Sequence, residues 1–400
     1  MSMTRNAHTI LTPIPLRKAG QKDVLGLTTP PMETVRLAIV GLGIRGQQAV
    51  KRISRIPGAR ISVLCDTDPS REVSVPGAVR LTDWKEACRH ADVDLVYICT
   101  DWAHHVPVAL EAMENGKHVA VEVPAAQTME QIWALIDKAE ETRRHCMMLE
   151  NAAYDDFEQT TLAMARAGVF GEIVHVEGAY HHRVDFNKEL WRLDYNRTHR
   201  GDIYPTHGLG PVCQILDLHR RDRLEMLVSV DSAALTGTQL TGDAGFANAD
   251  QTSTLLKTRM GRTILLEHNI MTPRPYSRMY QVVGTQGYAA KYPVPQVCLL
   301  SGGEEVIYQG EQLRQLQAPY RNWQLPLELQ ADAQETDTHG GMDFLMDYRL
   351  IQALRKGEPL DMDVYDLAEW CCVAPLSRLS LDNGSAPVAV PDFTRQSINN

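Results

Sequence analysis

No stretch of this sequence approaches the roughly 18 consecutive apolar residues of a membrane-spanning helix, which excludes a helical integral membrane protein. The opening Met1 to Pro31 has no apolar core followed by a small-residue cleavage site, so a cytoplasmic location is expected. The cysteines Cys65, Cys88, Cys99, Cys146, Cys213, Cys298, Cys371 and Cys372 form no C-x-x-C and lie mostly in apolar runs. They read as reduced core thiols, not as a disulfide framework or redox pair. H-E-x-x-H and Cys/His sets at zinc spacing are missing. The adjacent pairs His104-His105 and His181-His182 point to opposite faces of any regular strand, so no metal site is expected. G-x-S-x-G is absent, and with it the usual signature of a serine nucleophile. Basic charge is not in excess either. Forty Lys and Arg face 50 Asp and Glu, a formal net charge of −10 spread along the chain, which argues against nucleic acid or an anionic membrane as partner.

What is present is an ordinary globular composition, 44% hydrophobic and 22% charged, in a chain of 400 residues. That length predicts about two domains. Residues 1–32 carry Thr, Pro, Lys and Gly without apolar periodicity and read as an arm lying on the body or on a neighbouring subunit. From Val35 the pattern changes. VRLAIV (35–40), RISVLC (60–65), DLVYICT (94–100), KHVAV (117–121) and CMML (146–149) are short apolar runs of buried-strand type. Helix-like segments at Gln47 to Ile53, Val106 to Asn115 and Met129 to Arg143 separate several of them, the last with Thr128 as N-cap. The alternation predicts a doubly wound parallel sheet over residues 33–155.

After about Asp155 the rhythm differs. A helix from Phe157 to Ala167 ends at Gly168, and strand-like runs follow at Glu172 to Ala179, Met226 to Val230, Ser253 to Thr258, Arg262 to His268 and Gln281 to Val283. Polar turns separate them, so residues 156–400 are expected to form an α+β domain with an open, mostly antiparallel sheet. Helices near Met342 to Leu354 and Val364 to Leu379 close the chain.

Gly41, Gly43 and Gly46 form G-x-G-x-x-G between the first strand and its helix, and Asp66 stands 20 residues beyond Gly46 at the end of the next strand. The first glycine permits the tight turn, the second lets backbone approach a pyrophosphate, and the third allows close helix packing. The helix N-terminus offers N–H groups to the phosphates. Asp66 accepts from ribose hydroxyls and repels a 2′-phosphate, which favours NAD over NADP, while Arg45 inside the turn suits the pyrophosphate. Thr100 to His105 and Glu122-Val123-Pro124, with Glu150-Asn151, follow strands three to five, where open α/β sheets bind ligands. Core packing of Trp102 and solvated helix-start positions for His104 and His105 explain that stretch equally well.

In the second domain Trp191 to Asn196 and Gly201 to Gly210 concentrate Tyr204 and His207 between glycines, before an apolar helix from Val212 to Leu218. A Tyr and a His in one turn suit proton transfer near neutral pH, and a capping loop explains the glycines as well.

The first 150 residues resemble the sugar and inositol oxidoreductases of the Gfo/Idh/MocA superfamily. LGIRG, CTDWAHH, VAVEVP, MMLEN, YPTHGLGP (204–211) and TPRPYSR (272–278) together look like glycoside hydrolase family 109, over a match from about Val35 to the last helix. Oxidoreductase relatives usually carry E-K-P, whose lysine assists hydride transfer, and D-x-x-x-H in the second domain. Here Val123 replaces that lysine, and Ile203 stands four residues before His207 in place of the aspartate. Both departures agree with the glycosidase branch over a plain NAD-dependent sugar or inositol dehydrogenase. The resemblance implies an α-N-acetylgalactosaminidase with a tightly held, recycled NAD. It implies that Ile44, Arg45, Asp66, Trp102, His105, Glu122, Val123 and Asn151 contact NAD, and that Tyr180, Arg192, Tyr204, His207 and Tyr276 line the sugar site. In the implied mechanism C3 is oxidised, the C2 proton is removed, the C1 group leaves, water adds and C3 is reduced again. NAD-dependent glycosidases are a recognised exception to the two-carboxylate rule. Tyr180, Tyr204 and His207 are all candidates for the C2 base. The twin-arginine signal of many members is missing, the expected partner is a small glycoside or glycan terminus, and a homo-oligomer is expected from relatives.

Overall fold

Six short strands, largely buried except for β3 at the edge, open the fold: β1 (Val35–Val40), β2 (Ala59–Cys65), β3 (Val79–Leu81), β4 (Leu95–Ile98), β5 (His118–Val121) and β6 (Cys146–Met148). They pair in parallel in the order β3-β2-β1-β4-β5-β6. Their near-continuous apolar sequences reflect a sheet covered on both faces. The order reverses direction between β1 and β4, and such a switch point is where doubly wound sheets bind ligands. Helices α1 (Ile44–Ile53), α2 (Trp84–Arg89), α3 (Trp102–Glu114) and α4 (Met129–Thr142) make the crossovers. Thr128 caps α4, as the sequence predicts, and forms a reciprocal capping box with Gln131.

The structure, a computed structural model, describes residues 9–186, 190–321, 324–337 and 339–396. Residues 1–8 of the expected arm lie outside them. The chain divides into two compact units that are not contiguous in sequence: 15–155 with 323–368, and 1–14 with 156–322 and 369–400. This differs from the linear division at residue 156. The helices Leu327–Thr336 and Met342–Lys356 belong to the parallel-sheet unit because buried charges on the second of them, Asp343 and Asp347, pair with α1. Arm residues 15–32 lie on the same unit: Arg17 pairs with buried Glu140 at 2.9 Å, and Tyr365 Oη accepts from Val24 N at 3.1 Å.

In the other unit, a nine-stranded sheet is built from β7 (Ile173–His181), β8 (Leu224–Asp231), β9 (Thr252–Thr258), β10 (Thr263–Asn269), β11 (Gln281–Gly284), β12 (Gly287–Ala290), β13 (Gln296–Ser301), β14 (Glu304–Gln309) and β15 (Val388–Ala389). Its order is β14-β13-β12-β11-β7-β10-β9-β8-β15. The sheet is mixed. Neighbours are antiparallel except β7 and β10, which pair in parallel. The sequence reading missed β12 to β15, whose strands are short or lack a buried run. Helices α5 (Asp156–Arg166), α6 (Leu190–Thr198) and α7 (Thr206–Leu216) precede or follow β7. The helix expected from Val212 begins at Thr206, so His207 lies in its first turn. The segment expected as one helix over Val364 to Leu379 is two, Val364–Cys371 and Val373–Asp382. Six of the cysteines are buried, Cys99 and Cys298 are partly so, and all are free thiols.

Candidate functional site

In the parallel-sheet unit the glycine turn is built as a cradle. Gly41 adopts φ 91°, and a Cβ there would meet the Cys99 carbonyl carbon at 2.6 Å. A Cβ on Gly46 would fall 1.9 Å from Gly41 O, so only hydrogen lets α1 approach β1. Gly43 differs: nothing lies within 4 Å of its Cβ position, and that space is open. It is also the N-cap of α1, with no side-chain cap and no acidic residue in the first turn. First-turn N–H groups therefore face an open, anion-favouring site. Asp66 Oδ2 accepts from Leu42 N at 2.6 Å and Oδ1 from Asp68 N at 2.8 Å, which fixes the carboxylate at the end of β2. Ile44 is 75% exposed beside the turn. An open backbone cradle, a helix N-terminus and a carboxylate at the end of β2 fit a dinucleotide with unmodified ribose.

Arg45, in the first turn of α1, is held by two carboxylates. Its guanidinium pairs with Glu122 at 2.9 Å and with Asp343 at 3.0 Å. Burial works against this charge, but Glu122 and Asp343 outweigh it and hold Arg45 above its ordinary pKa. Asn151 donates through Nδ2 to the other Asp343 oxygen. Burial also opposes the Asp343 carboxylate, yet His339, Arg45 and Arg52 hold it well below the usual range. Arg45, Glu122 and Asn151 are thus one network, joined by Asp343, which the sequence reading did not single out. Trp102 is buried at the start of α3, and Val123 is buried beside Glu122. His105, on the same helix, is buried with Nδ1 2.9 Å from Pro124 O and Nε2 3.1 Å from Thr100 O. Burial lowers its pKa, against the two carbonyl oxygens, which favour the charged form, whereas His104 next to it is exposed.

In the mixed-sheet unit the sugar-site candidates converge. Tyr180 at the end of β7, Tyr204 and His207 form a ring cluster. Centroids are 4.8 Å apart for Tyr180 and Tyr204, 5.3 Å for Tyr180 and His207, and 5.1 Å for Tyr204 and His207. Tyr204 Oη lies 3.4 Å from His207 Nε2. The Arg192 guanidinium on α6 sits 5.2 Å from the Tyr204 ring centre, a cation–π distance. Tyr276 joins through His182, whose ring is 5.4 Å away and edge-on. Tyr276 Oη accepts from Arg278, which also donates to buried Glu158 at 2.6 Å. Lys291 holds the other Glu158 oxygen at 2.9 Å.

Close backbone approach makes this cluster. A Cβ on Gly178 would lie 2.0 Å from Gly208 O, and one on Gly208 would lie 2.5 Å from Ala179 N. The glycine after His207 therefore lets α7 rest on β7. The sequence reading missed His182 and Arg278. The signal was a spacing of two, Tyr180 to His182 and Tyr276 to Arg278, which puts side chains of extended backbone on one face. His181 and His182 do part, His181 pairing with Glu267 at 3.0 Å and His182 meeting Tyr180 Oη at 2.8 Å.

Residues 154–400 match the family described as "Glycosyl hydrolase 109, C-terminal domain", and residues 35–150 match "Oxidoreductase family, NAD-binding Rossmann fold". The chain is 50% identical over 426 residues to Glycosyl hydrolase family 109 protein 1 of Bacteroides fragilis, covering 98% of this chain and 92% of that one. It is 51% identical over 417 residues to a Glycosyl hydrolase family 109 protein of Porphyromonas gingivalis, covering 95% and 89%. Among solved structures, a levoglucosan dehydrogenase in complex with NADH and L-sorbose superposes with a TM-score of 0.73 at 17% identity, covering 90% of this chain and all of the other. Scyllo-inositol dehydrogenase from Lactobacillus casei, with bound NAD(H) and scyllo-inositol, has a TM-score of 0.66 at 14% identity, covering 89% and 99%. These two share the fold. None of the described helices is long and apolar enough to cross a membrane. The sequence identity over nearly the whole length, with the C-terminal match spanning more than half of it, means that this chain belongs to glycosyl hydrolase family 109 and carries the family's Rossmann-type NAD-binding domain.

Proposed function

We propose that the chain hydrolyses terminal α-N-acetylgalactosaminides with retention, using NAD as a cofactor restored within each turnover. The observation that supports this most directly is the packing of Tyr180 against Tyr204 and His207 beside Arg192, in the unit matched by the hydrolase family. The backbone of the Gly41–Gly46 turn and Asp66 hold the cofactor, with Ile44, Trp102, His105, Glu122, Val123 and Asn151 shaping its surroundings. Bound there, NAD supplies a reversible oxidation of C3, which makes the proton at C2 acidic. Tyr180, Tyr204 and His207 are the groups that remove and return that proton, and the substituent at C1 departs as the C1–C2 double bond forms. Water then adds at C1. Arg192 and Tyr276 hold the sugar's hydroxyl and acetamido groups, and the Arg192 charge stabilises the enolate.

The test is hydrolysis of an aryl α-N-acetylgalactosaminide in heavy water. Deuterium at C2 of the released sugar is expected, and loss of cleavage by roughly 10²-fold or more in His207→Ala. Cleavage without deuterium at C2 overturns the elimination route. The dehydrogenase-like fold favours a second reading, net oxidation of a sugar, which predicts steady accumulation of NADH and no glycoside cleavage.

A further inference from the structure

The cluster contains two Tyr–His pairs of unequal geometry. Tyr204 Oη and His207 Nε2 are 3.4 Å apart, at the limit of a hydrogen bond. Tyr180 Oη and His182 Nδ1 are 2.8 Å apart, a well-formed one. Their surroundings also differ. Tyr180 is buried, with its ring against Tyr204 and His207, while His182 is exposed and stands edge-on to both Tyr180 and Tyr276. One hydroxyl inside the cluster is thus wired to an imidazole that reaches water. A phenol of ordinary pKa near 10 is a poor base unless its own proton has somewhere to go as it accepts another. The lone pair of a neutral imidazole nitrogen is such an acceptor.

We infer that His182 is the proton acceptor of the Tyr180 hydroxyl, and that Tyr180 with His182 is the pair that removes and returns the C2 proton. This rests on the elimination reading above and selects among its three candidate bases. In the forward step the C2–H bond breaks and an O–H bond forms at Tyr180. The phenolic proton passes to Nδ1 of His182, which becomes an imidazolium. The electron pair of the C–H bond enters the enolate of the C3 ketone and then expels the C1 substituent. In the return step the imidazolium gives a proton back through Tyr180 to C2. Because His182 is exposed, that proton exchanges with solvent in between, which routes deuterium to C2. His182 acts through Tyr180, as a positioning and relay residue.

The test compares wild type, Tyr180→Phe, His182→Asn and His182→Ala, each carrying its bound cofactor, with an aryl α-N-acetylgalactosaminide in heavy water. An asparagine carbonyl accepts the Tyr180 hydrogen bond but takes no proton. Deuterium incorporation at C2 is expected to fall by roughly 10²-fold in both His182 variants and in Tyr180→Phe. Calorimetric affinity for N-acetylgalactosamine changes little in the His182 variants, and free imidazole restores exchange in His182→Ala. Wild-type rates in both His182 variants, or full activity in His182→Asn alone, overturn the relay. Imidazole ¹⁵N shifts of the unsubstituted protein give a readout independent of any variant: Nδ1 bare and Nε2 protonated is expected, and a protonated Nδ1 at neutral pH overturns it. A wild type that cleaves without deuterium at C2 overturns the elimination reading and the relay together, whereas wild-type deuterium with unaffected variants overturns the relay alone.

Discussion

Asp343, in the first turn of the helix Met342–Lys356, accepts from Arg45 of the glycine turn across 298 positions of sequence, at 3.0 Å and with its side chain wholly buried. The same carboxylate holds Asn151 and lies 3.5 Å from Arg52, so one residue late in the chain ties together two residues that the family resemblance assigns to the cofactor.

Asp343→Ala removes a carboxylate shared by Arg52, itself almost fully buried, and Arg45, leaving Arg52 to Asp347 and Arg45 to Glu122. Removing one partner of a buried ion pair costs about 3–5 kcal/mol. Because Asp347 and Glu122 still pair with the two arginines, a smaller fall than that is expected in denaturant unfolding, together with faster loss of NAD during gel filtration. Unchanged stability and NAD content would show that the network is dispensable.

Gly43 and Gly46 separate cofactor binding from folding. Gly46→Ala drives a methyl group into Gly41 O and is expected to lower thermal stability even without NAD. Gly43→Ala meets no protein atom, so the apo protein melts as wild type does while its affinity for NAD falls. Calorimetry with apo protein and differential scanning of the same samples check both halves.

Gly208→Ala is expected to unseat α7 from β7, because the added carbon lies 2.5 Å from Ala179 N and 2.8 Å from Leu266. His207 precedes it and moves with the helix. Cleavage is expected to fall more than thermal stability does, and equal, small effects on both would refute the placement.

Asp202, two residues before Tyr204, is fully buried. Burial pushes its pKa up to about 7, against a lesser lowering by the Tyr204 N–H that Oδ1 accepts at 3.3 Å. The folded pKa is above the unfolded value near 3.9, so its contribution to stability is complete below that value and is lost as pH rises through about 7. Asp202→Asn keeps the acceptor and cannot ionise. The variant is expected to be more stable than wild type at pH 8, by on the order of 3 kcal/mol, and to lose that advantage towards pH 4. Urea unfolding at the two pH values measures it, and a pH-independent difference would sink the assignment.

Several features were legible in the sequence because each depends on residues close together in the chain. The parallel strands, the N-cap at Thr128 and the Gly41–Gly46 turn are local patterns with local causes: unbroken apolar runs, one side chain reaching three residues on, and backbone without Cβ. YPTHGLGP carried enough information to nominate Tyr204 and His207, though the helix start at Thr206 was obscured by Pro211, which sits inside the helix.

What the sequence by itself determined is therefore the Rossmann sheet, its dinucleotide turn and a short roster of polar aromatic and basic residues. Tertiary structure alone decided their company. Asp343 meets Arg45, Glu158 holds Arg278 behind Tyr276, and Gly178 meets Gly208, because charge pairing and close packing act through space between segments distant in the chain. It also turned His182 from half of an adjacent histidine pair into the partner of Tyr180, since which face a side chain takes depends on where its strand ends and what lies against it.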